Sequence, residues 1–288
     1  MVRAIPESRL RERRRRRRAF ALGLLCASTV LLCVGFVALS HVAFLRVTSV
    51  TVSGTNDGLA EQIQAFVKSK MSGAYLHLFA RDNILLYPKS SITKDLSVQF
   101  PELRDVWVRT ADVHHVEVSV TERRPVALWC DSGVGSQSQS QSLSVSPFLS
   151  QDTCFFLDEN GLAYKAVGDT PTTNYQKYFG PAATTTLPRQ YLTPDQFVSL
   201  FAFVQALGGK VPNETIAHVS VGGQGNANIS FASGFEVRFL LSDNAGDVLQ
   251  RFVLAQTAAP FSTHKLSDFS YLDLRFGDKI YYKLKATP

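Results

Sequence analysis

RRRRRRAFALGLLCASTVLLCVGFVALSHVAFLRVTSVTVSG, residues 13–54, decides how this 288-residue chain is organised. Six consecutive arginines run straight into residues 19–45, 27 positions without Asp, Glu, Lys or Arg. As a helix rising about 1.5 Å per residue, that stretch reaches roughly 40 Å, against about 30 Å for a hydrocarbon core. The membrane-spanning part is therefore expected from Ala19 to near Leu39, with residues 41–45 at the outer interface. The arginine block predicts a cytoplasmic tail, residues 1–18, because such charge opposes translocation. A cleaved signal peptide has an apolar region of only about 7–15 residues and a small-x-small site. Here the run is too long, and Ala38-Leu39-Ser40 matches such a site weakly. Arg17-Arg18-Ala19-Phe20 lacks the rest of a twin-arginine signal. Cys26 and Cys33, seven apart on one helical face, read as small apolar packing residues.

The net charge of +6 suggests nucleic acid until it is located. Residues 1–18 hold nine Arg and two Glu, a net of +7, so the remaining chain carries −1. The folded part has no basic surplus for a phosphate backbone.

After Arg46 the pattern alternates: Thr48, Val50 and Val52 share one face, Ser49, Thr51 and Ser53 the other. That predicts a strand ended by Gly54 and the turn Asn56-Asp57-Gly58. Leu59, Ile63, Phe66, Val67 and Met71 then keep helical spacing. A second helix is expected over residues 91–100, and strands over 103–109 and 113–121. In the latter, Val116, Val118 and Val120 face inward and His115, Glu117, Ser119 and Thr121 outward. Strand, helix, helix, strand, strand makes one small α+β unit, residues 46–124.

The second unit, residues 125–288, reads as a mostly antiparallel β domain with two helices. Strands at 127–131 and 154–158 flank a Ser/Gln-rich insertion, residues 132–150, expected as a loop. Residues 169–189, rich in Thr, Pro and Gly, also read as loose. Thr193, Pro194 and Gln196 form a capping box that opens a helix with Phe197, Leu200, Phe201 and Val204 as its buried stripe, and Gly208-Gly209 is expected to end it. Strands follow at 217–221, 227–232 and 235–241, a helix at 246–258, and a strand pair at 271–283. Cys130 and Cys154 end neighbouring strands outside the membrane, so a disulfide closing the insertion is expected.

No catalytic, cofactor-binding or metal-binding set emerges. Gly222-Gly223-Gln224-Gly225 lacks the length and the Lys of a phosphate loop, and no Gly-x-Ser-x-Gly elbow occurs. His115 and Glu117 share a strand face, but two ligands are too few, and His114 points the other way. A solvated strand face is the plainer reading.

Three stretches in this order resemble the FtsQ/DivIB family of bacterial cell-division proteins: VTSVTVSG at 47–54; VEVSVTERRPVALW at 116–129, followed by FFLDENGLAY at 155–164; and YLDLRFGDKIYYK at 271–283. The likeness spans essentially the whole chain after the anchor. It implies that residues 46–124 form a POTRA domain close to the membrane. It further implies a non-enzymatic scaffold in the cytoplasmic (inner) membrane at the division septum. Its partners would be FtsB- and FtsL-like bitopic proteins and the septal peptidoglycan synthase complex. Thr110-Ala111-Asp112 replaces the family's frequent Pro-Asn type turn, and the insertion is peculiar to this chain. A membrane-anchored cell-wall enzyme and a POTRA-containing outer-membrane assembly factor are the alternatives. The first needs a cleft of convergent acid, base or metal residues; the second needs a β-barrel and a cleaved signal.

The partner surface is expected on the terminal strand pair, at Tyr271, Arg275, Phe276, Asp278, Lys279, Tyr281 and Tyr282. A strand at a chain end often lies at a sheet edge, where unpaired backbone groups template an added strand. Aromatic and arginine side chains concentrate binding energy. In the family, the arginine and following aromatic of this motif, matching Arg275 and Phe276, face the FtsB segment. The competing reading puts these aromatics in the core.

Overall fold

The computed structural model describes residues 7–75, 78–130, 154–168, 170–180 and 186–285. The insertion 132–150, the first six residues of the tail, His77 and residues 181–185 lie outside the described residues. The chain mixes α and β structure, with one apolar helix near its amino terminus and a mostly sheet body. It divides into two compact units, Met1–Glu122 and Arg123–Pro288. The division falls two residues before the expected one, and the side chains explain why. Glu122 accepts hydrogen bonds from Thr55 and from Asn56, in the turn after the first strand. Its neighbour Arg123 instead pairs with the buried carboxylate of Asp158 in the second unit. Each residue is tied into its own unit.

In the first unit, α1 (Glu7–Ser40) contains Arg14–Ser40, which is long and apolar enough to cross a membrane and whose most apolar stretch is unburied. The body follows: β1 (Ser49–Ser53), α2 (Asp57–Met71), β2 (Ala74–Tyr75), β3 (Phe79–Ala80), α3 (Lys89–Gln99), β4 (Leu103–Asp112) and β5 (His115–Glu122). The sheet order is β1-β5-β4, with β1 parallel and β4 antiparallel to β5. Asn56 caps α2 by accepting from the Leu59 N–H at 3.0 Å, satisfying one of the donors a helix start leaves open. Val50, Val108, Val116, Val118 and Val120 pack against Ile63, Val67, Ile92 and Leu96. Gly54 takes φ +95°, and a Cβ there would collide with the Val120 carbonyl, so this turn needs glycine. The opposite sheet face, Trp107 apart, is polar and bonded within itself. The His115 ring nitrogens meet Ser49 Oγ and Thr51 Oγ1, each at 2.7 Å, and Arg109 clasps Glu117 with two 3.1 Å bonds.

The second unit is built on β6 (Ala127–Cys130), β7 (Cys154–Leu157), β8 (Leu162–Ala166), β9 (Gln176–Phe179), β10 (Arg189–Gln190), α4 (Pro194–Lys210), β11 (Ile216–Val221), β12 (Asn226–Phe231), β13 (Glu236–Leu240), α5 (Ala245–Thr257), β14 (Phe269–Phe276) and β15 (Lys279–Leu284). One ten-stranded sheet runs β10-β8-β7-β6-β9-β11-β12-β13-β14-β15. Six of its nine neighbouring pairs are antiparallel. Phe197, Leu200 and Val204 of α4 and Val248 and Phe252 of α5 share one core with Tyr178, Val219, Ile229, Val237 and Leu272 of the sheet.

Two expectations need correction. The stretch read as loose contains β9, parallel to both β6 and β11 in mid-sheet, with Tyr178 wholly buried. Gly208-Gly209 does not end α4, which continues to Lys210 and stops at Val211. Pro212 follows, and a residue before proline is steered away from helical geometry.

Candidate functional site

The terminal hairpin gathers all seven residues expected to meet a partner. In FSYLDLRF alternation sends Leu272 and Leu274 into the core, and an irregularity in the pairing between Phe269 and Tyr271 brings Phe269 to the same side. Gly277, at φ +61°, turns the chain beside Asp278, and Phe276 pairs with Lys279 across the turn. Glycine at the first central position suits the twist of a two-residue hairpin. Beyond the turn, β15 pairs with β14 on one side and closes the sheet on the other. Among the described residues it therefore presents a row of backbone donors and acceptors without a strand to receive them.

The seven side chains are not equivalent. Phe276 is 55% exposed and Tyr281 50%, and their rings meet edge-on at 5.1 Å. Asp278 and Lys279 are exposed at the turn. Tyr271 is half-buried, with the Arg238 guanidinium 4.2 Å from its ring centre. Tyr282 sits opposite buried Leu272, and its ring meets Phe261 and Phe269 edge-on at 5.4 and 6.0 Å. It is nonetheless 46% exposed, at the rim of the core. Tyr281 lies opposite Asp273, on the other face of the sheet.

Arg275 is held rather than loose. Its guanidinium bonds both carboxylate oxygens of buried Asp273, at 2.8 and 2.6 Å, and reaches Asn226 Oδ1 at 2.9 Å. Burial of the Asp273 carboxyl opposes its ionised form. Hydrogen bonds from the Arg275 side chain and backbone N–H, with the charges of Arg275 and Arg238, outweigh it and hold its pKa below the ordinary value. A second brace comes from α5. Arg251 donates to the Leu274 and Gly277 carbonyls at 2.9 and 2.7 Å and pairs with Asp243 at 2.9 Å.

Asp273, Asn226 and Arg251 were not foreseen. Asp273 was readable, since D-x-R on a strand places both groups on one face. Arg251 and Asn226 carry no local signal, because their partners lie far along the chain.

Cys130 and Cys154 face each other across β6 and β7 and are joined by a disulfide, closing a sequence separation of 24. Around them Leu128, Phe156, Tyr164 and Val167 form a small satellite core. Among the described residues, no three His, Cys, Asp or Glu side chains converge as a metal set would. The chain matches no protein-family model and none of the curated proteins.

Proposed function

We propose that this chain is a non-enzymatic, single-pass scaffold of FtsQ/DivIB type. Its first unit serves as the POTRA domain, and its second receives FtsB- and FtsL-like bitopic proteins, through which it regulates septal peptidoglycan synthesis. The amino terminus lies inside the cell and both units outside, in the cytoplasmic (inner) membrane at the division septum. One observation carries the reading. The motif that resembles the family's partner-binding segment forms an edge hairpin whose Phe276 and Tyr281 rings are exposed, while Arg251 holds its backbone and Asp273 and Asn226 hold the Arg275 side chain. A braced edge favours an added strand, because little freedom is lost on binding.

Phe276→Ala and Tyr281→Ala test it, each in the full chain, with binding to an FtsB-like extracytoplasmic segment and thermal stability measured together. Both rings protrude, so the folded state is expected to persist while binding falls. Unchanged binding in both folded variants would sink the reading. Arg275→Glu suits the purpose less, since it sets a second carboxylate against buried Asp273. Topology is checked separately by a cysteine at Val2, which an impermeant reagent should not reach in intact cells.

A further inference from the structure

α1 enters the first unit through a built joint. Its last residue, Ser40, is 2% exposed, and the Ser40 carbonyl accepts a 3.0 Å bond from Nδ2 of Asn83, itself 1% exposed. Asn83 Oδ1 in turn accepts the Leu85 N–H at 2.9 Å. One residue on, His41 Nε2 donates to the Leu78 carbonyl at 2.9 Å. The Ile84 N–H bonds the Leu45 carbonyl at 2.8 Å, and Arg46 pairs with Asp82 at 2.6 Å. The segments carrying Leu78 and residues 82–86 are thus fastened to the end of α1.

Around this joint the surface is apolar where solvent would favour polar groups. Val42, Phe44, Leu78, Leu85 and Leu86 are all exposed, Leu85 at 73% and Phe44 at 63%. Single exposed apolar residues are ordinary, but five gathered at one place mark an interaction surface. Beside them the Arg81 guanidinium lies 4.7 Å from the centre of the Tyr75 ring, a pairing of the residue types found at membrane–water boundaries.

The length of α1 says what covers them. From Ala19 to Ser40 are 22 residues, a rise of about 33 Å, against a hydrocarbon core of about 30 Å. With the arginines held at the inner face, Ser40 reaches the outer edge of the hydrocarbon. Groups hydrogen-bonded to residues 40 and 41 sit at that level too. We infer that Val42, Phe44, Leu78, Leu85 and Leu86 form a lipid-contacting surface that seats the first unit on the outer leaflet, at the boundary of headgroups and acyl chains. The inference rests on the proposed membrane anchor. Interfacial apolar groups of this kind enter that boundary to a depth of about 5–10 Å.

The test uses the full chain in two sets of phosphatidylcholine vesicles, whose lipids carry bromine high or deep on the acyl chain, where it quenches tryptophan nearby; quenching by either set counts. Three variants each add one reporter to Trp107 and Trp129: Leu32→Trp in α1, Leu85→Trp at the joint, and Val98→Trp, an exposed position on α3. The expected result is loss of more than half of the added emission for Leu32→Trp and Leu85→Trp, and little for Val98→Trp. Quenching of Leu32→Trp with Leu85→Trp no more affected than Val98→Trp overturns the lipid contact and leaves the anchor standing. An unquenched Leu32→Trp removes the anchor, and the lipid contact with it.

Discussion

β4 in the first unit and β15 in the second each close a sheet, yet the two edges are finished differently. β4 is ten residues long and carries Arg104, Asp105, Arg109 and Asp112, with Arg104 3.6 Å from Asp105 and Arg109 on Glu117 of the next strand. Charges of both signs along an edge discourage a foreign strand, which would have to match each of them. β15 is shorter and its charges have one sign, Lys279 and Lys283, interleaved with Tyr281 and Tyr282. An acidic or neutral strand meets no repulsion there and finds aromatic surface. An open edge alone does not mark an interface, and the two edges differ in charge pattern and in bracing. Trp107, 70% exposed on β4, is the residue that strains this contrast, since tryptophan is a frequent interface anchor.

The largest expected effect separates the two units by stability. Reducing the Cys130–Cys154 bond frees a closed segment of about 25 residues, which costs roughly 3–4 kcal/mol on the chain-entropy estimate. Denaturant melting with and without reductant should shift the second unit's transition and leave the first unit's in place. Equal shifts in both would mean the units do not melt independently. Next comes binding. Phe276→Ala should weaken the partner segment by about 2 kcal/mol or more, as for a hot-spot residue, while Trp107→Ala leaves it unchanged. The reverse result would transfer the site to β4.

Acid should act on the β15 edge more than on β4. The folded-state pKa of Asp273 lies below its unfolded value, so its pairing with Arg275 stabilises fully above the ordinary aspartate range, about pH 4. That stabilisation is lost as pH falls through the folded value. Partner binding followed downward from neutral pH should therefore weaken below about pH 4 in the intact chain and lose that acid step in Asp273→Asn. Glu117 is also lowered, by the Arg109 hydrogen bond first, but its partner Arg109 is 65% exposed and the pair is open to solvent. Arg109→Ala, the smallest effect, should leave the melting temperature unmoved, and a measurable drop would show that the polar face of the first unit is more than a solvated ladder.

The parts of the fold that were legible in the sequence are those where one segment carries its own pattern. The inward valines of β5, the capping box at Thr193 and the facing cysteines of β6 and β7 are of this kind. β9 escaped because four residues between two parallel neighbours have no room for alternation, and Tyr178 is buried by context alone. The β2–β3 hairpin escaped for the same reason, at two residues a side. The candidate site was legible as an aromatic edge and illegible as a braced one. Its braces, Arg251 onto β14 and the turn and Asn226 onto Arg275, join residues 23 to 49 positions apart.

The seam between Glu122 and Arg123 bears on how the molecule can be cut. Asp158 has a side chain only 3% exposed; besides Arg123 it is held by its own turn, accepting the Asn160 and Leu162 N–H groups at 2.9 Å. A fragment of the second unit that starts at Pro125 leaves this carboxylate without its cation. Removing one partner of a buried ion pair costs about 3–5 kcal/mol, a large share of a domain's whole stability. A fragment that starts at Arg123 keeps the pair. One residue, Arg123, outside every strand of the sheet, thus carries a large share of the second unit's stability on its own.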